Sequence, residues 1–194
     1  MEDLSAFVLA GGHSRRMGRD KAQIELDGET LLARALRLAR SVTPVVAIVG
    51  PLEVYGALAP VVEDVFAGQG PLAGIHAALG ASATDLNLVL AVDTPLLAPE
   101  FLQHLVRRAG ESGAVVTVPR TREGGRDYLH SLCAVYRRSF AAVAQAALQA
   151  GHNKIDALFG AVPTLVIEPA EIERLGFGPA IFRNLNTPED LKDL

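Results

Sequence analysis

The chain has 194 residues, 49% of them hydrophobic, with 18 basic and 22 acidic side chains giving a net charge of −4. That is enough apolar chain for one domain with a substantial core, expected over residues 1–194, and it excludes intrinsic disorder. The acidic balance gives no support to a nucleic-acid-coating role, the single Cys133 excludes an internal disulfide or a multi-cysteine metal site, and no run reaches the roughly 18 apolar residues needed to span a membrane. The acidic start and its short apolar run do not read as a signal peptide, so a cytoplasmic location is expected.

The first element is a buried strand over 4–10, ending at Gly11-Gly12. Two missing Cβ atoms let the backbone take unusual dihedrals and come close to a ligand. Arg15, Arg16, Gly18, Asp20 and Lys21 follow. Backbone N–H groups and cations converging at a strand end suit an anion such as a triphosphate. The stretch is not a Walker A loop, because five residues separate Gly12 from Gly18 and Ala22 follows Lys21.

Ile24 and Leu26 flank Glu25 in a short alternating piece that ends at the turn dipeptide Asp27-Gly28. Thr30 predicts the N-cap of a helix over 31–40, with Leu32, Ala35, Leu36 and Ala39 facing the sheet. The β-branched run 45–49 reads as a buried parallel strand. A short helix over 51–59 and a third strand at Val61-Val62 lead to Glu63-Asp64. A second glycine-containing loop, 68–74, lacks the G-x-G-x-x-G spacing of a dinucleotide fold. Pro71 starts a helix reaching 79.

The most apolar strand, 86–92, runs directly into Asp93-Thr94-Pro95. Next come a helix over 99–109, a strand over 114–118 stopped by Pro119, and a polar loop over 120–127. A strand over 129–136 is interrupted by His130 and Ser131. A helix over 139–150 is closed by Gly151, strands follow at 162–167 and 181–185, and Thr187 caps a terminal helix. The alternation implies an α/β three-layer sandwich with a mainly parallel, Rossmann-like twisted sheet. Ligands in such sheets lie outside the carboxyl ends of the strands.

Asp93 stands at such an end. A carboxylate there is costly unless paired, bound to metal or capping the following turn. Magnesium takes few protein carboxylates, so one aspartate can suffice. Arg120, Arg122 and Arg126 read as a solvated loop, with a grip on a phosphorylated acceptor as the alternative. His130 and Cys133 fall on opposite faces of a strand, a poor nucleophile pair, and Cys133 reads as core.

Four ordered blocks carry a family resemblance. Leu9, Ala10, Gly11, Gly12, Ser14, Arg16, Met17, Gly18, Asp20 and Lys21 resemble the signature L-A-G-G-x-S-x-R-M-G-x-D-K of the MobA family, the molybdenum cofactor guanylyltransferases and MobA-like nucleotidyltransferases. Gly70-Pro71-Leu72-Ala73-Gly74, Asp93-Thr94-Pro95 and the segment from Asn184 to Leu191 are similar to later blocks of the same family. The resemblance implies a fold like that of nucleotide-diphospho-sugar transferases. It also implies transfer of GMP from GTP to molybdenum-molybdopterin, with release of pyrophosphate. It assigns Arg16, Lys21 and Asp93 to catalysis, and Leu9, Ala10, Gly11, Gly12, Lys21, Asp64 and Asp93 to GTP. Asp93 would hold Mg²⁺, and Asn184 and Asn186 would line the molybdopterin site. The implied partners are GTP, molybdenum-molybdopterin and other proteins that make or accept the cofactor, with no nucleic acid or membrane, and a monomer is expected. Val49-Gly50-Pro51 departs from the family, which commonly places a nucleotide-contacting asparagine there. The alternatives are a cytidylyl- or other nucleotidyltransferase on the same fold, and a non-catalytic nucleotide-binding sensor.

Overall fold

The computed structural model describes residues 3–11, 20–66, 68–185 and 190. Strand β1 (Leu4–Leu9) is followed by a hairpin of β2 (Glu25–Leu26) and β3 (Glu29–Thr30), then by α1 (Leu31–Arg40), β4 (Val46–Val49), α2 (Leu52–Tyr55) and β5 (Val61–Val62). Next are α3 (Pro71–Ala81), β6 (Leu86–Ala91) and α4 (Pro99–Glu111). The second half holds β7 (Val116–Glu123), β8 (Arg126–Leu129), β9 (Cys133–Arg137), α5 (Phe140–Gln149), β10 (Thr164–Ile167) and α6 (Pro169–Arg174).

Among the described residues these strands form an eight-stranded sheet of order β10-β7-β9-β6-β1-β4-β5, with β8 paired to β7. β1 is parallel to β4 and β6, β4 to β5, and β10 to β7. β9 runs antiparallel to β6 and β7, and β8 antiparallel to β7. Two antiparallel neighbours leave β7 pointing the same way as β6. The carboxyl ends of β1, β4, β5, β6, β7 and β10 therefore share one edge.

Both faces of the sheet are covered. Ala6 and Val8 of β1 pack in one core with Leu32, Leu36, Phe101 and Leu105 of α1 and α4. Phe7 points the other way, onto Ala77 and Ala78 of α3. Val89 of β6 joins Leu72 and Leu79 of α3 and Phe140 of α5. This period-2 alternation with apolar residues on both sides explains why the strands read as unbroken hydrophobic runs. The result is the expected α/β sandwich.

Local chemistry sets the element boundaries. Thr30 Oγ1 accepts from the Ala33 N–H at 3.1 Å, the N-cap the sequence predicts. Asp27 and Gly28, at φ 54° and 78°, give the two left-handed residues of a tight hairpin turn, so the piece after Ile24 is half of a β2–β3 hairpin. Gly70, at φ 78°, precedes Pro71 at the first turn of α3.

Four expectations are corrected. Pro119 does not stop β7: the pairing of β7 with β9 ends at Thr117, and the Pro119 carbonyl accepts from the His130 N–H at 2.9 Å. The missing proline donor is thus not needed by the ladder. The region 120–127 is a β7–β8 hairpin turned by Gly124 and Gly125, at φ 55° and 78°. The stretch 129–136 is divided rather than continuous: a turn at 130–132, with the Cys133 N–H bonded to the His130 carbonyl, separates β8 from β9, which run the same way, both antiparallel to β7. The piece before Leu185 is a 3₁₀ turn, Pro179–Phe182, not a strand. Helix α6 went unread in the sequence, and the cap at Thr187 lies outside the described residues.

Candidate active site at the carboxyl edge of the sheet

Leu9 and Asp93 are brought together because β1 and β6 are adjacent and in parallel register, with Leu9 opposite Ala91. The chain leaves β1 through Ala10 and Gly11. The Ala10 N–H donates to the Val49 carbonyl at 3.0 Å, so β1 and β4 stay together to the sheet edge. Lys21 then places Nζ 3.2 Å from Asp93 Oδ2, across 72 residues of sequence. Their side chains are 18% and 21% exposed. The two groups neutralise each other at the lip of the sheet while water and ligands still reach them.

Gly11 lies at ordinary backbone angles and is not among the left-handed glycines. A Cβ built there would sit 3.5 Å from the Gly50 Cα, a normal contact. A left-handed φ is therefore not the reason for glycine at 11, and the described residues leave room for a methyl group there. Gly74 differs, because a Cβ there would press to 3.1 Å on the Leu9 side chain. Glycine at 74 lets α3 lie close under β1, with the half-buried Leu9 side chain packed against it.

Asp64 stands two residues beyond β5, two strands away from β1, and its Oδ1 accepts from the Phe66 N–H at 2.8 Å. That is the turn-capping use of an aspartate. Asn184 is exposed, and the next residue, Leu185, donates its N–H to the Asp93 carbonyl at 2.8 Å. The late chain is thereby tied to Asp93 itself. Gly12, Arg16 and Asn186 lie outside the described residues.

Two of the three arginines of the β7–β8 hairpin are held in ion pairs. Arg120 pairs with Glu168 at 2.5 Å and Arg122 with Asp127 at 2.7 Å. Cys133 is 1% exposed, and burial pushes its thiol well up, which suits the core reading. His130 stacks on Phe182 with ring centroids 4.0 Å apart, and its ring nitrogen meets the Thr121 hydroxyl at 2.8 Å. Burial lowers its pKa to about 4, so it is neutral near pH 7.

Two contributors were not assigned from sequence. The Tyr55 hydroxyl lies 2.6 Å from Asp20 Oδ2 and 3.2 Å from the Ala10 carbonyl. Its ring fills the space over Gly50, where a Cβ would come within 3.0 Å. The only sequence signal was the absence of a side chain at 50.

Among the described residues no three His, Cys, Asp or Glu side chains converge as a metal cage. A single, partly exposed carboxylate at Asp93 fits a magnesium ion that completes its shell with water and phosphate oxygens.

An open, mostly parallel α/β sheet with a partly exposed charged pair at its carboxyl edge has the form of a ligand-binding α/β protein. Residues 6–163 match the family described as the MobA-like NTP transferase domain. The chain belongs to that family. It is 34% identical over 98% of its length to a "Probable molybdenum cofactor guanylyltransferase" of Pelotomaculum thermopropionicum, covering 91% of that protein. It is 32% identical over 99% of its length to the molybdenum cofactor guanylyltransferase of Desulfosudis oleivorans, covering 94% of it. The crystal structure of molybdopterin-guanine dinucleotide biosynthesis protein A from Archaeoglobus fulgidus superposes with a TM-score of 0.82 at 28% identity, covering 97% of this chain and 95% of that one. The 2-C-methyl-D-erythritol 4-phosphate cytidylyltransferase of Thermus thermophilus shares the fold alone, at 21% identity and a TM-score of 0.72 over 98% of this chain and 96% of its own.

Proposed function

We propose that this protein transfers GMP from GTP to molybdenum-molybdopterin, giving the guanine dinucleotide form of the cofactor and pyrophosphate, with residues 1–194 working as one cytoplasmic domain. The observation that carries this is the Lys21–Asp93 pair at the β1–β6 edge of a MobA-like family member. Relatives named as guanylyltransferases at 32–34% identity over nearly the whole chain supply the substrate class.

In this reading an oxygen of the acceptor's terminal phosphate attacks the α-phosphorus of GTP. The bond from that phosphorus to the α–β bridging oxygen breaks, and pyrophosphate leaves. No covalent enzyme intermediate is needed. Phosphoryl chemistry of this kind depends on positioning and on charge neutralisation. The backbone of Leu9, Ala10, Gly11 and Gly12 receives the nucleotide at the strand end, where Gly11 leaves space. Lys21 and Arg16 bring positive charge to the triphosphate. Asp93 is the residue that would hold magnesium, which when bound supplies further charge neutralisation at the phosphates. Asp64 contributes at the nucleotide side, and Asn184 and Asn186 at the acceptor side. The bond from the Leu185 N–H to the Asp93 carbonyl, which brings the chain at Asn184 to the same sheet edge, supports this assignment.

The test is pyrophosphate release from GTP and Mg²⁺ with and without molybdenum-molybdopterin. Release that depends on the acceptor supports transfer. GTP binding with no release under any acceptor condition would make the protein a sensor.

A further inference from the structure

We propose that Tyr55 and Asp20 form a latch that positions Lys21 for the triphosphate. The inference rests on the GTP reading above. Ala10 and Asp20 stand on either side of the sequence 11–19, the central part of the glycine- and arginine-rich signature. One side chain reaches both: the Tyr55 hydroxyl lies 3.2 Å from the Ala10 carbonyl and 2.6 Å from Asp20 Oδ2. The other carboxylate oxygen of Asp20, Oδ1, accepts from the Ala22 N–H at 3.0 Å, capping the 3₁₀ turn Lys21–Gln23. Asp20 therefore sets the start of the turn that carries Lys21, and Tyr55 fixes Asp20 beside the end of β1.

The arrangement is built rather than incidental. Tyr55 is 3% exposed. Its ring lies so close to Gly50 that any side chain there would push it aside. Burial and the neighbouring Asp20 hold its hydroxyl pKa well above the usual phenol range, so it remains a donor throughout the working pH range. A carboxylate accepting from a buried phenol forms a short, charge-assisted bond. The departure at Val49-Gly50-Pro51 thus has a local function: glycine at 50 admits the ring that ties the two ends of the phosphate signature together. Tyr55 and Asp20 are positioning residues, and Lys21 is the group through which they act.

The experiment is a double-mutant cycle on GTP affinity, read by calorimetric titration of the full chain in Mg²⁺. Tyr55→Phe keeps the ring over Gly50 and removes only the hydroxyl. It should weaken GTP binding roughly tenfold, within the range for residues acting in one network. In a Lys21→Ala background the same change should weaken binding less than twofold. Asp20→Ala, tested in parallel in case Tyr55→Phe lowers folding yield, should lose at least as much affinity as Tyr55→Phe, and the two together no more than Asp20→Ala alone. Equal losses in the presence and absence of Lys21 would reduce the pair to scaffolding and overturn the latch. Unchanged GTP affinity in folded Tyr55→Phe, with wild type binding normally, would also overturn it. Failure of the wild type to bind GTP would instead overturn the functional reading, and the latch with it.

Discussion

The two ends of β1 and β6 handle polar groups in opposite ways. At the amino end, Asn87 is 0% exposed and its amide donates to the carbonyls of Thr84, Asp85 and Tyr136. Thr84 Oγ1 donates to Ser5 Oγ at 2.8 Å, and Ser5 is also buried. These groups are neutral and enclosed. At the carboxyl end the groups are charged and reachable by water: Lys21 and Asp93 meet at 3.2 Å with about a fifth of each side chain exposed. Buried neutral polar groups with protein partners specify structure. Charged groups that are balanced but still accessible can exchange a protein partner for a ligand. The same two strands thus carry an architectural end and a chemical end.

That contrast can be broken by mutation. The largest effect should come from Asp93→Ala. Loss of the carboxylate proposed to hold magnesium should lower turnover by about 10²–10³-fold, the scale of one charge-stabilising contact in a transition state. The melting transition should barely move, because a partly exposed ion pair contributes about 1 kcal/mol or less. Steady-state rates at saturating Mg²⁺, alongside a thermal melt, check both halves. Near-normal turnover at low Mg²⁺ would remove Asp93 from the chemistry.

Asn87→Ala should do the reverse. It removes a buried amide that donates to the Thr84 and Asp85 carbonyls and opens space in a closed region, costing about 2–3 kcal/mol of stability. Activity per folded molecule should be unchanged. Urea unfolding combined with a GTP titration separates the two, and a large affinity loss without destabilisation would blur the division between the ends.

His130 adds a pH test. Its folded pKa of about 4 lies below the ordinary value of 6.5, so the unfolded chain binds the extra proton first. Its contribution is fully present above pH 6.5 and is lost as the pH falls toward 4. Between pH 7 and 4.5 the loss should be about 2 kcal/mol. His130→Gln should show a shallower acid decline than wild type, measured by denaturant midpoints at each pH. Parallel curves would contradict a neutral, buried imidazole.

The smallest effect should be that of Lys21→Ala, about a tenfold loss of GTP affinity, on the scale of one charge-assisted contact. The melt should stay close to wild type. Unchanged affinity and turnover would sink its phosphate role.

Much of the architecture was legible because its causes are local. Thr30 capping α1, Pro71 opening α3 and Gly151 closing α5 all depend on residues within one turn. The β7–β8 hairpin was not legible. Its charges and glycines imitate a solvated loop, and the pairing that makes it a strand comes from residues across the turn. The 3₁₀ turn Pro179–Phe182 escaped for a similar reason: an apolar run of that length fits either a strand or a packed turn, and the stacking of Phe182 on His130 decides between them. For the site, β1 and β6 could be expected to end at one edge, which put Asp93 near the first loop. The Lys21–Asp93 contact follows from that edge, whereas the Tyr55–Asp20 contact depends on where α2 packs, and nothing in the spacing reveals it.

The most direct measurement mixes GTP, CTP, ATP and UTP at equal concentrations with limiting molybdenum-molybdopterin and Mg²⁺, and identifies the dinucleotide formed. A guanine dinucleotide should dominate, with one pyrophosphate released per product, since a site built on hydrogen bonds can reject the wrong base by as much as about 10⁴–10⁵. A larger kcat/KM for CTP, or pyrophosphate release that ignores the acceptor, would contradict guanylyl transfer at the Lys21–Asp93 edge.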